Sequence, residues 1–163
     1  MDLLSLVNLF QDRLFTESKV TKASIVLQGE SGRVTFPVPP SNLPQLELPQ
    51  NNTTFSSLAG DMMLIGQMGL RSLKLDVLLP DDVNRYTWAN GDTATTIINF
   101  INRERANYNP LRIVITRGHV TYVNMAVLIN NFTYYKDNVG DYHASLDLVE
   151  FRTQNPITGE LES

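Results

Sequence analysis

The clearest hydrophobic pattern in the chain places Leu73, Leu75, Val77 and Leu79 in strict alternation with Ser72, Lys74 and Asp76. Period-two alternation of this length predicts a strand with one buried and one wet face. It closes a longer stretch, Asn52–Pro80, that reads as two apolar strands joined by turns, with Gly60, Gly66 and Gly69 where the backbone must bend or approach a neighbour. The alternation recurs elsewhere. Ala23–Gln28 and Arg33–Val38 flank Gly29-Glu30-Ser31-Gly32, a hairpin signal. Leu111–Thr116 alternates as well. Val120–Tyr135 sets Val123, Met125, Val127 and Ile129 against Tyr122, Ala126, Leu128, Phe132 and Tyr134. Tyr142–Phe151 sets Tyr142, Ala144, Leu146 and Leu148 against His143, Ser145 and Asp147.

Two stretches carry helical spacing instead. Ala94, Ile97, Ile98 and Ile101 fall at i, i+3, i+4 and i+7, after Asp92 as a candidate cap and before Asn109-Pro110 as a stop. Asn102–Arg105 reads as polar. Near the start, Leu3, Leu6, Val7, Phe10 and Leu14 form an apolar stripe, with Asn8, Gln11, Asp12 and Arg13 off it. That stripe packs on its own domain or docks on a neighbouring subunit. Five of the eight prolines fall in Pro37–Pro49, which predicts an extended strap outside the central sheet. The pattern divides the chain into an N-terminal helical arm (1–22), a β domain (23–152) and a tail (153–163). The fold class is mainly β, an antiparallel barrel or sandwich with one flanking helix, plus an N-terminal helix. No strand–helix–strand repeat points to a parallel α/β fold.

Composition narrows the chemistry. The 163 residues include no cysteine, which excludes disulfides and thiolate sites. A net charge of −4 argues against a nucleic-acid-binding surface and decides little else. No run approaches the ~20 apolar residues of a membrane span, and Met1–Phe15 lacks a basic start, so assembly in the cytoplasm is expected. His119 and His143 have no spacing that would present two imidazoles to one metal. Asp81-Asp82, Asp137/Asp141 and Asp147/Glu150 read as solvated turns and outward strand faces, and no GxSxG or phosphate loop is present. No catalytic, cofactor-binding or metal-binding residue is assigned, and an enzyme is not expected. Met62, Met63 and Met68 cluster either as core filling or as an adaptable contact surface.

Five segments in order carry a resemblance. They are Phe36-Pro37-Val38-Pro39-Pro40; Leu58-Ala59-Gly60-Asp61 through Ile65-Gly66 and Gly69-Leu70; Asn109-Pro110-Leu111-Arg112-Ile113-Val114-Ile115; Val123–Phe132; and Gly140-Asp141-Tyr142 through Leu148-Val149-Glu150-Phe151-Arg152. Together the region Ala23–Arg152 resembles the baseplate hub, or tube-initiator, protein of contractile phage tails and phage-tail-like particles. Members of that family often carry a LysM domain. None follows Arg152 here, so peptidoglycan binding is not implied, and Met1–Lys22 extends beyond the family's usual start.

The resemblance implies a tail-tube-like fold and a structural role: a six-fold homo-oligomeric ring joining tail tube to central spike. Its partners would be the tube or tube-initiator protein, the spike or hub, and the baseplate wedge, with DNA only as passing cargo and no membrane. The location would be the virion baseplate. On this reading Leu58, Met62, Met63, Ile65, Met68 and Leu70 lie at the subunit interface. Ser72, Lys74 and Asp76 face the channel. The alternatives are a monomeric ligand-binding β-barrel and a carbohydrate-binding tail module built around Trp88.

Overall fold

In the computed structural model the described residues are 22–154 and 161–162; the N-terminal stripe lies outside them. The described residues are mainly β with one α-helix, and every strand pair among them is antiparallel. The strands are β1 (Ala23–Gly29), β2 (Gly32–Thr35), β3 (Leu46–Glu47), β4 (Thr53–Ser57), β5 (Gly60–Leu64) and β6 (Ser72–Leu79). Helix α1 (Ala94–Ala106) follows, then β7 (Leu111–Arg117), β8 (Val120–Lys136), β9 (Tyr142–Glu150), β10 (Thr153–Gln154) and β11 (Leu161–Glu162). Seven of them form one sheet in the order β2-β1-β7-β8-β9-β6-β3, while β4 and β5 pair only with each other.

Strand β8 is the hinge of the sheet. Its first half pairs with β7 from Arg117–Val120 to Leu111–Val127, and its second half pairs with β9 from Val127–Glu150 to Lys136–Tyr142. Between Ile129 and Asn131 the register shifts, and the extra residue of this bulge reverses which side chains point inward. Val123, Met125 and Val127 are therefore buried with Phe132, which the uninterrupted alternation assigned to the opposite face. The two halves of the sheet share a single core: Ile25, Leu27, Ile113 and Ile115 from one half join Leu73, Leu75, Leu146 and Leu148 from the other.

The proline-rich strap crosses between the two edge strands, β2 and β3. Its Phe36, Val38 and Pro44 are buried, and the Tyr122 hydroxyl donates to the Pro44 carbonyl at 3.2 Å. Prolines suit this position because a strap outside the ladder has no use for their missing N–H groups.

Helix α1 packs Ala94, Ile97, Ile98, Phe100, Ile101 and also Glu104 inward. Its cap is Thr93, whose hydroxyl accepts from the Thr96 amide at 3.4 Å. Asp92, the expected cap, instead accepts from the Thr35 amide at 2.7 Å and so ties the helix entry to β2. Glu104 belongs to the polar run Asn102–Arg105 yet is fully buried. Its carboxylate accepts from the Ser31 amide at 3.1 Å and from Asn109 at 3.0 Å, which anchors the β1–β2 turn to the helix end. Hydrogen bonds from Ser31 and Asn109 and the nearby Arg103 outweigh the upward push of burial and leave the Glu104 carboxyl below its ordinary pKa. Asp141, another carboxylate read as solvated, is buried and accepts from the Tyr86 hydroxyl at 2.6 Å and Arg85 at 3.1 Å.

In the tail, β10 and β11 form a two-residue antiparallel ladder.

Candidate functional site

The stretch Asn52–Pro80 contains three strands, not two, because the first apolar run folds back on itself. The β3–β6 pairing (Leu46–Leu73, Glu47–Ser72) continues outward through an isolated bridge, Gln50–Met68, into the β4–β5 hairpin. The result is one long β-arm, rooted in the sheet and ending at the Leu58-Ala59 turn. The pairing slips by one residue before Gln50–Met68 and by one more before Thr53–Leu64. Eleven residues lead from Glu47 to Leu58 and thirteen return from Ala59 to Ser72, which at ~3.3 Å per extended residue bounds the arm at roughly 35 Å.

The slipped region is held by specific contacts. Gly69 N donates to Pro49 O at 2.8 Å, Asn51 N to Gln67 O at 3.0 Å, and Gly66 N to the Asn52 side chain at 2.9 Å. A Cβ on Gly66 would lie 1.5 Å from the Asn51 carbonyl oxygen, so only glycine fits there. At the tip, Ser57 Oγ donates to Gly60 O at 2.8 Å, and Gly60 takes φ +115°, a turn conformation that favours glycine.

The arm buries almost nothing. Phe55, Leu58, Met62, Met63, Leu64, Ile65, Met68 and Leu70 are all exposed, with Ile65 at 82% and Met68 at 76%. The register puts Thr53, Phe55, Met62 and Leu64 on one face, and Thr54 and Met63 on the other with the Ser56–Asp61 hydrogen bond. A two-stranded ribbon has no layer behind it, so its apolar side chains can be covered only by something outside the arm. Phe55 and Leu64 complete the patch. Both are visible in the sequence as the partners that a Leu58-Ala59 turn would place opposite Met62 and Thr53.

The six residues expected at an interface, Leu58, Met62, Met63, Ile65, Met68 and Leu70, all lie exposed on the arm, spread over both faces from its tip at Leu58 to its root at Leu70. Ser72, Lys74 and Asp76 are not part of it. They lie on β6 within the sheet, on the face opposite Leu73, Leu75 and Val77, with Ser72 Oγ donating to Glu47 at 3.0 Å and Lys74 opposite Asp147.

A charge cluster fixes the arm's root. Glu150 is buried at the end of β9 and accepts from the Arg71 amide at 3.0 Å, from Arg71 Nε at 2.8 Å and from Arg152 Nη2 at 2.6 Å. In return the Glu150 amide donates to the Arg71 carbonyl at 2.7 Å. Burial alone would raise the Glu150 pKa; the hydrogen bonds from Arg71 and Arg152 prevail and bring it down to about 2. The carboxylate is therefore ionised at every ordinary pH. It holds the residue at which the arm enters β6. Sequence alternation placed Glu150 with the solvated carboxylates, and only the fold brings Arg71 to it.

Trp88 is 45% exposed and packs against Tyr86 with ring centroids 5.1 Å apart. His143 sits beside Asp137 at 3.1 Å and stacks on Tyr135, while His119 is exposed in the β7–β8 turn. Among the described residues no group of three or more His, Asp or Glu side chains is placed to hold a metal ion. No helix among them is long and apolar enough to cross a membrane. No known protein family matches the chain, and no curated protein is similar to it.

Proposed function

We propose that the chain is a structural ring component of a contractile tail or tail-like particle, in the hub or tube-initiator position between tail tube and spike. The ordered segments of Ala23–Arg152 that resemble the hub family support the identity. The single observation that carries the assembly is the long arm with exposed apolar residues on both faces and no layer of its own to cover them. In a head-to-tail ring each arm lies against the next copy, and closure covers every arm equally. Ser72, Lys74 and Asp76 then form a polar lining suited to a channel. The location is the baseplate of the particle; the partners are further copies of this chain, the tube protein and the spike.

Light scattering on the purified chain across a concentration series, and again with tube or spike protein added, tests this. The expected result is a six-fold mass, alone or on adding a partner, that is lost in the Phe55→Ser/Met62→Ser variant. A chain that stays monomeric with both partners, or a variant that assembles like the parent, overturns the proposal.

A further inference from the structure

The arm carries a single charge. Between Glu47 at its root and Arg71 at its re-entry into the sheet, residues 48–70 include Asp61 and no other ionisable side chain. Asp61 is exposed beside the tip turn and accepts from Ser56 Oγ at 2.6 Å, which leaves its carboxylate with capacity for further donors. Whatever surface covers the apolar arm also takes this carboxylate out of water. A carboxylate desolvated without a cation is costly, so the covering surface has to bring one.

A surface of that kind lies at the other edge of the sheet. The arm is rooted at β3 and β6, while a polar depression of about 430 Å3 lies between α1 and β2, the edge strand at the opposite end of the strand order. Ser31, Arg33, Thr96, Asn99 and Arg103 line it. Both arginines are exposed, and among the described residues neither forms an ion pair with a carboxylate. Arg103 Nη2 donates to Ser31 Oγ at 2.8 Å, which holds the guanidinium at the depression, and Glu104 behind it is already satisfied by Ser31 and Asn109. Two guanidinium groups with donors to spare, flanked by the Thr96 and Asn99 side chains, suit a carboxylate. A head-to-tail contact joins two different patches, and here the two patches carry opposite charge and sit at opposite edges of one sheet.

We propose that the Arg33–Arg103 depression of one copy receives Asp61 from the arm of the next copy. This rests on the ring reading and names the surface that the arm meets. Asp61→Arg and Arg33→Glu, both at exposed positions, are each expected to weaken assembly by about tenfold or more, read by light scattering as a rise in the chain concentration at which the mass increases. The Asp61→Arg/Arg33→Glu chain, which restores opposite charges across the contact, should recover part of that loss. Asp61→Asn keeps an acceptor for Ser56 and should weaken assembly in the same direction by less, which separates loss of charge from damage to the arm. Single variants that assemble like the parent, or a double variant no better than the two losses combined, overturn this proposal and leave the ring standing. A parent chain that never assembles, alone or with tube or spike protein, overturns both.

Discussion

The sheet and the arm are built from the same kind of residues and differ in what lies behind them. In the sheet, each apolar face meets another layer: Ile25, Leu75, Ile113 and Leu146 are wholly buried, and the polar residues that alternate with them face water. In the arm, Met62, Met63, Leu64 and Ile65 follow one another with no polar alternation and are all exposed. Period-two alternation is the signature of a strand that has found its core within the chain. A consecutive apolar run on a two-stranded ribbon leaves apolar surface that the arm itself has no layer to cover.

The sharpest way to break this comparison is a pair of core and arm truncations. Ile113→Ala removes a fully buried side chain and should cost about 2–5 kcal/mol of unfolding free energy. Met63→Ser on the arm should leave the monomer's stability within about 0.5 kcal/mol, because nothing there is lost from a core. Denaturant unfolding of both variants at a concentration where the chain is monomeric measures the contrast. Equal losses would mean that the arm is part of the folding unit.

The second effect is acid lability. Glu150 titrates at about 2 in the folded chain against an ordinary value of 4.5. Its contribution is complete above about pH 4.5 and is lost as the pH falls toward 2. A shift of that size corresponds to about 3 kcal/mol. The carboxyls of Glu104 and Asp137, also lowered, add to the loss in the same direction. Urea unfolding followed from pH 6 to pH 2 should show this slope, and Glu150→Gln should flatten it while lowering stability at neutral pH. A profile identical to the parent's would remove Glu150 from the account.

Next comes the arm's root. Gly66→Ala forces a methyl group into the Asn51 carbonyl and should open the ladder between Asn51 and Met68. Strain of this kind costs of order 1–3 kcal/mol. It should appear as faster amide exchange in the β4–β5 hairpin with little change in β7 to β9. The smallest effect belongs to Tyr108, which holds φ +57° just after the helix and is 90% exposed. Tyr108→Gly relieves that conformation and should raise stability by about 1 kcal/mol, read as a higher Tm.

Much of this was legible in the residue pattern. Alternation located β6, β7 and β9, spacing located α1, and the proline density located the strap. The resemblance places Leu58, Met62, Met63, Ile65, Met68 and Leu70 at an interface, and the structure leaves all six exposed on the arm. What stayed hidden depended on distant partners. Glu104 meets Ser31 across 73 positions, and Glu150 meets Arg71 across 79, so nothing local separates these carboxylates from solvated ones. The bulge near Asn130 inserts one residue into a continuous alternation and moves Phe132 into the core, a change that the alternation itself does not announce. The two register slips of the arm are likewise set by how Pro49 and Gly66 fit against the facing strand.

The most direct test of the central claim is methionine oxidation by dilute peroxide, compared between free chain and assembled particle. Met62 and Met63 are exposed at 52% and 63%, while Met125 at 1% is an internal standard. The oxidation rate of a thioether follows its exposure. The account predicts rapid oxidation of Met62 and Met63 in the free chain and strong protection of both in the assembly, with Met125 slow in each. Equal oxidation of the arm methionines in the two states would contradict it, because the arm would then remain bare where it is claimed to be covered.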